Sequence, residues 1–332
     1  MGNLLSSASD SRPVPPIAAR ATDAASIVSP IISLVFDIEA SGADAEARLN
    51  SLVELLRRSS SGSAPAARQR VRLILTTSTP SERVDMFGLE DCLRQDLARI
   101  TCADVSQLTA VRRIGRNWFA TCSGLTFFDL GGLANVTEID DYCFCGSGLT
   151  SLDLRPLANV TAIHDFFLAQ CVELTALDLT PLRSIASLGD HFCMSNSKLE
   201  AIDLSGLHAL TRVGVGFISC CRALTALDLS AFAMVRSVGD GFLSGCSGLV
   251  DLDLAPLRGV VNIGDDFLSH TSFRALDLDP LVNLRSIGSE FLAANKHLAR
   301  VRCSAALLSL ESLPTGIRGL HAAAAADDPT PQ

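Results

Sequence analysis

The chain repeats itself. Aligned on the first apolar residue of each unit, Leu125, Leu149, Leu174, Leu199, Leu224, Leu249, Phe273 and Leu298 follow one another at 24 or 25 residues. Each opens a segment of one pattern: LTFFDL, LTSLDL, LTALDL, LEAIDL, LTALDL, LVDLDL, FRALDL and a degenerate LARVRC. One unit is too small to bury its own apolar side. Units of this length must therefore stack, share a continuous core and touch only their neighbours, which is the definition of a solenoid.

In the unit from Leu174 the apolar positions are Leu174, Leu177, Leu179, Leu182, Ile185, Leu188 and Phe192. The alternation at Leu177 and Leu179 predicts a short strand with both leucines inward and Asp178 outward. The pairs Arg155-Pro156, Thr180-Pro181, Ala255-Pro256 and Asp279-Pro280 mark where strands stop, because proline has no N–H for a ladder. The second half carries Leu188-Gly189-Asp190, Val238-Gly239-Asp240, Ile263-Gly264-Asp265 and Ile287-Gly288. That half is expected to return the chain along the outer side in turns or short helical pieces.

An aromatic recurs at Trp118, Phe167, Phe192, Phe217, Phe242, Phe267 and Phe291, and a Cys or Asn precedes the next strand at Cys122, Cys171, Asn196, Cys221, Cys246 and Asn295. With the LxxLxL core, these residues resemble the BspA-like (Treponema-type) leucine-rich repeats over roughly two thirds of the chain. The resemblance implies an α/β solenoid, a leucine-rich-repeat parallel β-sheet arc; the residues before the arc read as a mostly helical N-terminal cap. For function it implies a range of partners and no single activity. Members of the family are often microbial surface proteins.

Four regions are expected. Residues 1–25 form a disordered N-terminal tail with a lipidation signal, rich in Ser, Ala and Pro. Residues 26–96 form a mostly helical N-terminal cap or, alternatively, a separate binding module. Residues 97–303 are leucine-rich repeats, and 304–332 a C-terminal cap and flexible tail. Within the cap, Ser26–Ile38 is apolar but too short to span a membrane, which takes about 20 apolar residues; it docks on the body. Ser41–Arg58 reads as an amphipathic helix and Ser81–Ala98 as helical, with Val71–Leu75 a strand. Leu97-Ala98-Arg99-Ile100-Thr101-Cys102 resembles a degenerate first strand, 28 residues before Leu125, so its unit would carry an insertion. Ala305–Leu313 reads as a short helix stopped by Pro314, and the end from His321 as frayed.

The opening Met1-Gly2-Asn3-Leu4-Leu5-Ser6 matches the N-myristoylation pattern M-G-x-x-x-[ST]. The chemistry needs Gly2 because its freed amine accepts the acyl group with no side chain in the way. One myristoyl chain gives only marginal binding, with an association constant of about 10⁴ M⁻¹. A second signal beside it is poor: the first cysteine is Cys92, and Arg12 and Arg20 make no polybasic patch. The expectation is reversible, peripheral attachment to the cytoplasmic face of a membrane. The start also lacks a basic region followed by an apolar run and a cleavage site, so the 11 cysteines are expected as free thiols in a reducing cytoplasm. Those in repeat register read as small buried residues whose S–H meets a loop carbonyl, a job Asn can share.

Seven carboxylates occupy the outward strand position: Asp129, Asp153, Asp178, Asp203, Asp228, Asp253 and Asp277. In-register parallel strands would set neighbours about 4.8 Å apart, where each pair repels by about 0.9 kcal/mol even at the dielectric of water. Flanking positions are mostly small: Ser151, Ala176, Ala201 and Ala226 on one side, Thr180, Ser205 and Ser230 on the other. One reading is structural, with a polar residue facing water and capping the nearby turn. The other is a groove for a basic partner segment, whose Arg or Lys would relieve the repulsion. A one-sided row suits calcium poorly, since Ca²⁺ prefers encircling oxygens.

Net charge of −9 argues against nucleic acid as the partner. Cys143-Phe144-Cys145 and Cys220-Cys221 lack a second pair at zinc-like spacing, so no metal is expected. The six histidines are scattered over different repeat positions, and no G-x-S-x-G, phosphate loop or H-E-x-x-H occurs. No cofactor, small-molecule substrate or enzymatic activity is expected. The reading is a non-enzymatic interaction scaffold, tethered by its N-terminal acyl chain and binding a protein with a basic segment. The alternatives are a surface adhesin, by the family resemblance, and the substrate-receptor subunit of a ubiquitin ligase.

Overall fold

The computed structural model describes residues 31–37, 70–76, 83–84 and 98–327. Three strands precede the repeats: β1 (Ile31–Asp37), β2 (Arg70–Thr76) and β3 (Arg83–Val84). Then come β4 (Ile100–Asp104), β5 (Arg113–Ile114), β6 (Glu138–Ile139), β7 (Ala162–Ile163), β8 (Ala176–Asp178) and β9 (Ser187–Leu188). They continue as β10 (Ala201–Asp203), β11 (Arg212–Val213), β12 (Ser237–Val238), β13 (Asn262–Ile263), β14 (Ala275–Asp277), β15 (Ser286–Ile287) and β16 (Arg300–Arg302). Helices α1 (Ala305–Leu308) and α2 (Thr315–Asp327) close the described chain. Every paired strand is parallel to its neighbour.

The LxxLxL segments build one side of the solenoid. Here β8 pairs with β10, β14 with β16, and β4 closes a three-stranded sheet with β2 and β1. The equivalent segments between these pairs run alongside with single longer bonds, such as Thr150 N–H to the Thr126 carbonyl at 3.4 Å. At the Pro-marked strand ends the chain enters 3-10 turns, with Arg155–Leu157 and Ala255–Gly259 each carrying proline in the first turn. The proline readings hold, for the reason given: its missing N–H costs nothing where a turn begins.

The return half runs partly in turns, one of the two expected forms, and adds a ladder that the spacing does not predict. It holds a second parallel ladder of two-residue strands, β3-β5-β6-β7-β9 and then β11-β12-β13-β15, rather than helical pieces. Its bonds are short and regular: His164 N–H to Ile139 O, Gly189 to Ile163 and Gly264 to Val238, at 2.9, 2.8 and 2.9 Å. The G-D pairs serve this ladder. A Cβ on Gly189 would lie 2.3 Å from the His164 carbonyl carbon, so the backbones approach too closely there for a side chain, although His164 itself makes the same ladder bond one unit earlier. The aspartate next to it ties the next unit: Asp165 Oδ1 accepts the N–H of Asp190, and Asp190 Oδ1 that of Val215, both at 2.8 Å.

The third side is a run of tight bends. In each unit three alternating residues take positive φ, as at Asn117, Phe119 and Thr121, at Phe166, Leu168 and Gln170, and at His191, Cys193 and Ser195. A left-handed non-glycine residue is unfavourable by about 1–2 kcal/mol. It persists here because the amides are bonded across units: Phe166 N–H to Asp190 O at 2.9 Å, Leu168 to Cys143 O at 3.1 Å and Gln170 to Met194 O at 2.7 Å.

The core runs the length of the stack. Phe167, Phe192, Phe217, Phe242, Phe267 and Phe291 are fully buried and face one another with ring centroids 5.3–6.0 Å apart. Trp118 heads the column. Cys143 stands in the next aromatic position, and Phe144 beside it meets Trp118 and Phe128 edge to face and stacks on Phe119. The pre-strand position also behaves as read from sequence. Cys171 Sγ donates to Phe144 O at 3.0 Å and Cys246 Sγ to Ile218 O at 3.1 Å, while Asn196 and Asn295 Nδ2 bond the Leu168 and Leu268 carbonyls at 2.9 Å. Ser147 and Thr271 hold the same place. Burial pushes the Cys122, Cys171 and Cys246 thiols up to about 12, and the ten cysteines among the described residues are free.

The mostly helical N-terminal cap is not what the described residues show. Strands β1 and β2 extend the strand side parallel to β4, with Leu34 opposite Leu73 and Leu73 opposite Ala103. Leu73 and Leu75 are fully buried, and a sheet edge covered by further strands shields the first repeat as well as helices would. The strand over Val71–Leu75 holds. Docking of Ser26–Ile38 takes the form of β1. Arg83–Val84, read as helical, is a strand. The helix over Ser41–Arg58, the tail of residues 1–25 and the end from 328 lie outside the described residues. The first repeat strand begins at Ile100 rather than Leu97. Ile100 stands 25 residues before Leu125 and is equally buried, so the unit carries no insertion; Ala103 stands where the other units carry a large apolar residue, which disguises the LxxLxL pattern there. At the other end α1 stops at Leu308, and Pro314 precedes α2, which extends to Asp327 where a frayed end was expected. The Arg318 guanidinium bonds the Leu308 and Leu310 carbonyls, and the Cys303 N–H donates to His321 Nδ1, tying α2 to the last strand.

Candidate partner-binding face

The strand side brings all seven predicted aspartates into one column. Each is held by its own turn. Asp129 Oδ1 accepts the N–H of Gly131, Asp153 that of Arg155, Asp178 that of Thr180, Asp203 that of Ser205, Asp228 that of Ser230, Asp253 that of Ala255 and Asp277 that of Asp279, all at 2.8–3.0 Å. An Asx turn of this kind satisfies an amide at the strand end that the ladder does not reach. The structural reading of the column is therefore correct as far as one oxygen of each residue goes. The turn leaves the second oxygen of each unused.

The column also has an eighth member, Asp104, whose Oδ1 accepts the Ser106 N–H at 3.1 Å. The sequence signal for it is weak, because Ala103 replaces the large apolar residue that precedes the aspartate in the other units. Hydrogen bonds from the Ser106 side chain and N–H hold its carboxyl below the usual range, aided by Arg72. Arginine neutralises the row at defined places: Arg72 on Asp104 at 2.9 Å, Arg155 on Asp153 at 2.5 Å, and Arg302 at 3.5 Å from both Asp277 and Asp279. The Arg155 side-chain bond lowers the Asp153 pKa. Between these points lie Asp129, by itself between Asp104 and Asp153, and an unbroken run of four, Asp178, Asp203, Asp228 and Asp253. Among the described residues no Arg or Lys stands within ion-pairing distance of these four. The sequence signal for the blocked ends was present but local: Arg155 two residues after Asp153, and Arg302 in the aspartate's own register.

The neighbours are small over the same stretch, with Ala176 and Ala201 half-buried in their strands. Phe127 ends that flank and is 63% exposed, an apolar rim at the N-terminal end of the face. Gly2 lies outside the described residues.

One group offers metal-like spacing. Ligand atoms of Glu138, Asp140 and His164 lie within 4.8 Å of one another. The Arg113 guanidinium fills that space, 2.7 Å from Asp140 Oδ1 and 3.1 Å from Glu138 Oε2. The fixed cation there is the arginine, and His164 Nε2 meets Glu138 at 3.0 Å. Cys143 is fully buried, its thiol pushed well up by burial, and Cys220 and Cys221 have separate surroundings, one half-exposed and one buried. No helix among the described residues is long and apolar enough to cross a membrane.

Comparison with known proteins places this geometry. The BspA type leucine rich repeat region matches residues 101–225 and 211–313, in six copies. No curated protein matches the chain. Among solved structures it is similar to a leucine-rich repeat protein from Bacteroides ovatus, at 19% identity and TM-score 0.49 over 61% of this chain and 55% of that one. It is also similar to the functional domain of InlJ from Listeria monocytogenes, at 14% identity and TM-score 0.30 over 65% and 58%. An internalin C2 from the same organism shows 16% identity and TM-score 0.29 over 59% and 83%. The chain thus spans little more than half the length of the first two. The matched repeats cover well over half of the sequence, and the chain belongs to the BspA-type leucine-rich-repeat family.

Proposed function

We propose that this protein is a non-enzymatic interaction scaffold whose strand face binds a basic segment of a protein partner, and that an acyl chain on Gly2 tethers it reversibly to the cytoplasmic face of a membrane. The observation that carries the first part is the run Asp178, Asp203, Asp228 and Asp253. Each uses one oxygen internally and has no Arg or Lys within ion-pairing distance among the described residues, whereas arginines cover the row at Asp104, Asp153 and Asp277. A partner's Arg or Lys at strand spacing would relieve the repulsion within this run and make charge-assisted bonds to the free oxygens. The M-G-x-x-x-S start supports the second part.

The test of the face exploits the turn geometry. Asn keeps the oxygen that caps the turn and removes the charge. A triple Asp178→Asn, Asp203→Asn, Asp228→Asn variant should fold as the parent does and lose most of its affinity for a synthetic arginine-rich peptide and for its partner in a pull-down. Unchanged recovery sinks the basic-groove reading. Intact-protein mass spectrometry from native cells tests the tether: loss of Met1 with gain of one myristoyl mass, abolished in Gly2→Ala, supports it, and an unmodified N-terminus removes it.

A further inference from the structure

Next to the acidic column runs a basic edge. The segment from each strand-side turn to the following two-residue strand carries one arginine in six successive units: Arg155, Arg183, Arg212, Arg236, Arg258 and Arg285. All six are exposed. The same segments, 155–163, 180–188, 205–213, 230–238, 255–263 and 279–287, contain a single acid, Asp279. In a chain of net charge −9 this is a marked segregation of sign. Arg155 is occupied by Asp153. Arg183 and Arg236 bond only backbone carbonyls, of Thr180 and of Ala233 and Val235. Arg212, Arg258 and Arg285 have no carboxylate within ion-pairing distance among the described residues.

The edge is most developed in its last three units. Arg236, Arg258 and Arg285 surround an open pocket of about 940 Å³, with Met234 and Val282 on its rim. Gly259 makes room for it: a Cβ there would stand 2.1 Å from Arg236 Nη1, so the guanidinium lies across bare backbone. Met234 and Val282 are 52% and 54% exposed, two apolar side chains standing among unpaired arginines.

We propose that this edge is a membrane-docking surface, with Arg236, Arg258 and Arg285 receiving the phosphate or carboxylate headgroups of an anionic lipid leaflet while Met234 and Val282 enter its acyl boundary. Charge complementarity identifies the occupant, because planar guanidinium forks fit such oxyanions and each arginine near an anionic surface raises partition roughly fivefold. The apolar rim fits a bilayer better than a hydrophilic polyanion. This deepens the tethering reading above and rests on it for its biological setting. A single myristoyl chain needs a second signal, and the sequence around Gly2 holds none; the solenoid edge supplies one from a distance. It also orients the molecule, since the edge toward the leaflet leaves the aspartate column on the adjoining side open to a partner.

The experiment uses the full, unacylated chain, so that it does not depend on Gly2. Its partition to vesicles of phosphatidylcholine with one third phosphatidylserine is measured by co-sedimentation, beside pure phosphatidylcholine vesicles and a single-stranded oligonucleotide. The expected result is salt-sensitive binding to anionic vesicles that falls tenfold or more in Arg236→Ala, Arg258→Ala, Arg285→Ala. It should change less than twofold in Lys198→Ala, Arg222→Ala, Lys296→Ala, which removes the same charge elsewhere. Equal loss in both variants, or no preference for anionic vesicles, overturns the proposal. Arginine-dependent oligonucleotide binding without vesicle binding reassigns the edge to a nucleic acid and also overturns it. Vesicle binding by the unacylated chain together with an unmodified Gly2 in cells upholds the edge and removes only the acyl tether.

Discussion

The Sγ of Cys171 donates to the backbone carbonyl of Phe144, a residue of the preceding repeat, at 3.0 Å. One unit later Asn196 makes the same bond to Leu168 with an amide N–H. Cys and Asn are thus interchangeable donors at a buried seam. Cys171→Asn should leave the thermal midpoint within a few degrees of the parent. Cys171→Ala orphans a buried carbonyl and should cost about 1–3 kcal/mol. Thermal melts of both variants distinguish the hydrogen-bonding role from simple filling of space, for which Ala would be the milder change.

The same burial makes a pH prediction. Cys122, Cys171 and Cys246 have folded-state values of about 12 against an ordinary 9.0, because desolvation disfavours the thiolate. A raised folded value means the stabilisation is fully present below pH 9 and is lost as pH rises from about 9 to about 12. The denaturation midpoint should be flat from pH 7 to 8.5 and fall above 9. In the folded state at pH 8 these thiols should resist alkylation while the half-exposed Cys220 reacts; equal labelling of all sites contradicts the assigned burial.

Asp190 bridges Asp165 and Val215 through one backbone N–H and one carboxylate oxygen. Asp190→Ala removes a charge-assisted bond between units and should destabilise by about 1.5–3 kcal/mol. Asp190→Asn retains the acceptor and should lose less. Urea unfolding of the pair measures the difference, and equal losses would show that the charge, not the bond, matters.

Two glycines with opposite surroundings give paired outcomes. Gly189→Ala would put a Cβ 2.3 Å from the His164 backbone, and neither chain can yield, so expression of folded protein should drop. Gly319, inside α2, has nothing within 4 Å. Gly319→Ala should stabilise by about 0.5–1 kcal/mol through helix propensity, read as a raised thermal midpoint.

Phe217 stands between Phe192 and Phe242 at 5.8 and 6.0 Å, with Phe232 against its edge at 5.7 Å. Phe217→Ala should cost about 3–5 kcal/mol. Because repeats communicate through neighbours, hydrogen exchange should show the loosening concentrated in units on either side rather than throughout the chain.

The solenoid, its period, the inward leucines, the phenylalanine column and the outward aspartates are legible in the residues alone, because each of these follows from spacing along the chain. Side-chain direction in a strand is set by its period of two, and stacking is forced by the apolar face a single unit cannot bury. Other features depend on contacts between units. The two-residue strands are too short to show any periodicity, and they exist only because the preceding unit presents a ladder to extend. The left-handed bends at Phe166 or His191 contradict local preference and are held by amides bonded to other repeats. At the N-terminal end, partners outside the segment settled both the register at Ile100 and the strands where helices were expected. The arginine edge is visible in each unit as one ordinary surface residue. Only superposition of six units at about 4.8 Å turns it into a surface of one sign, beside an acidic column of the other.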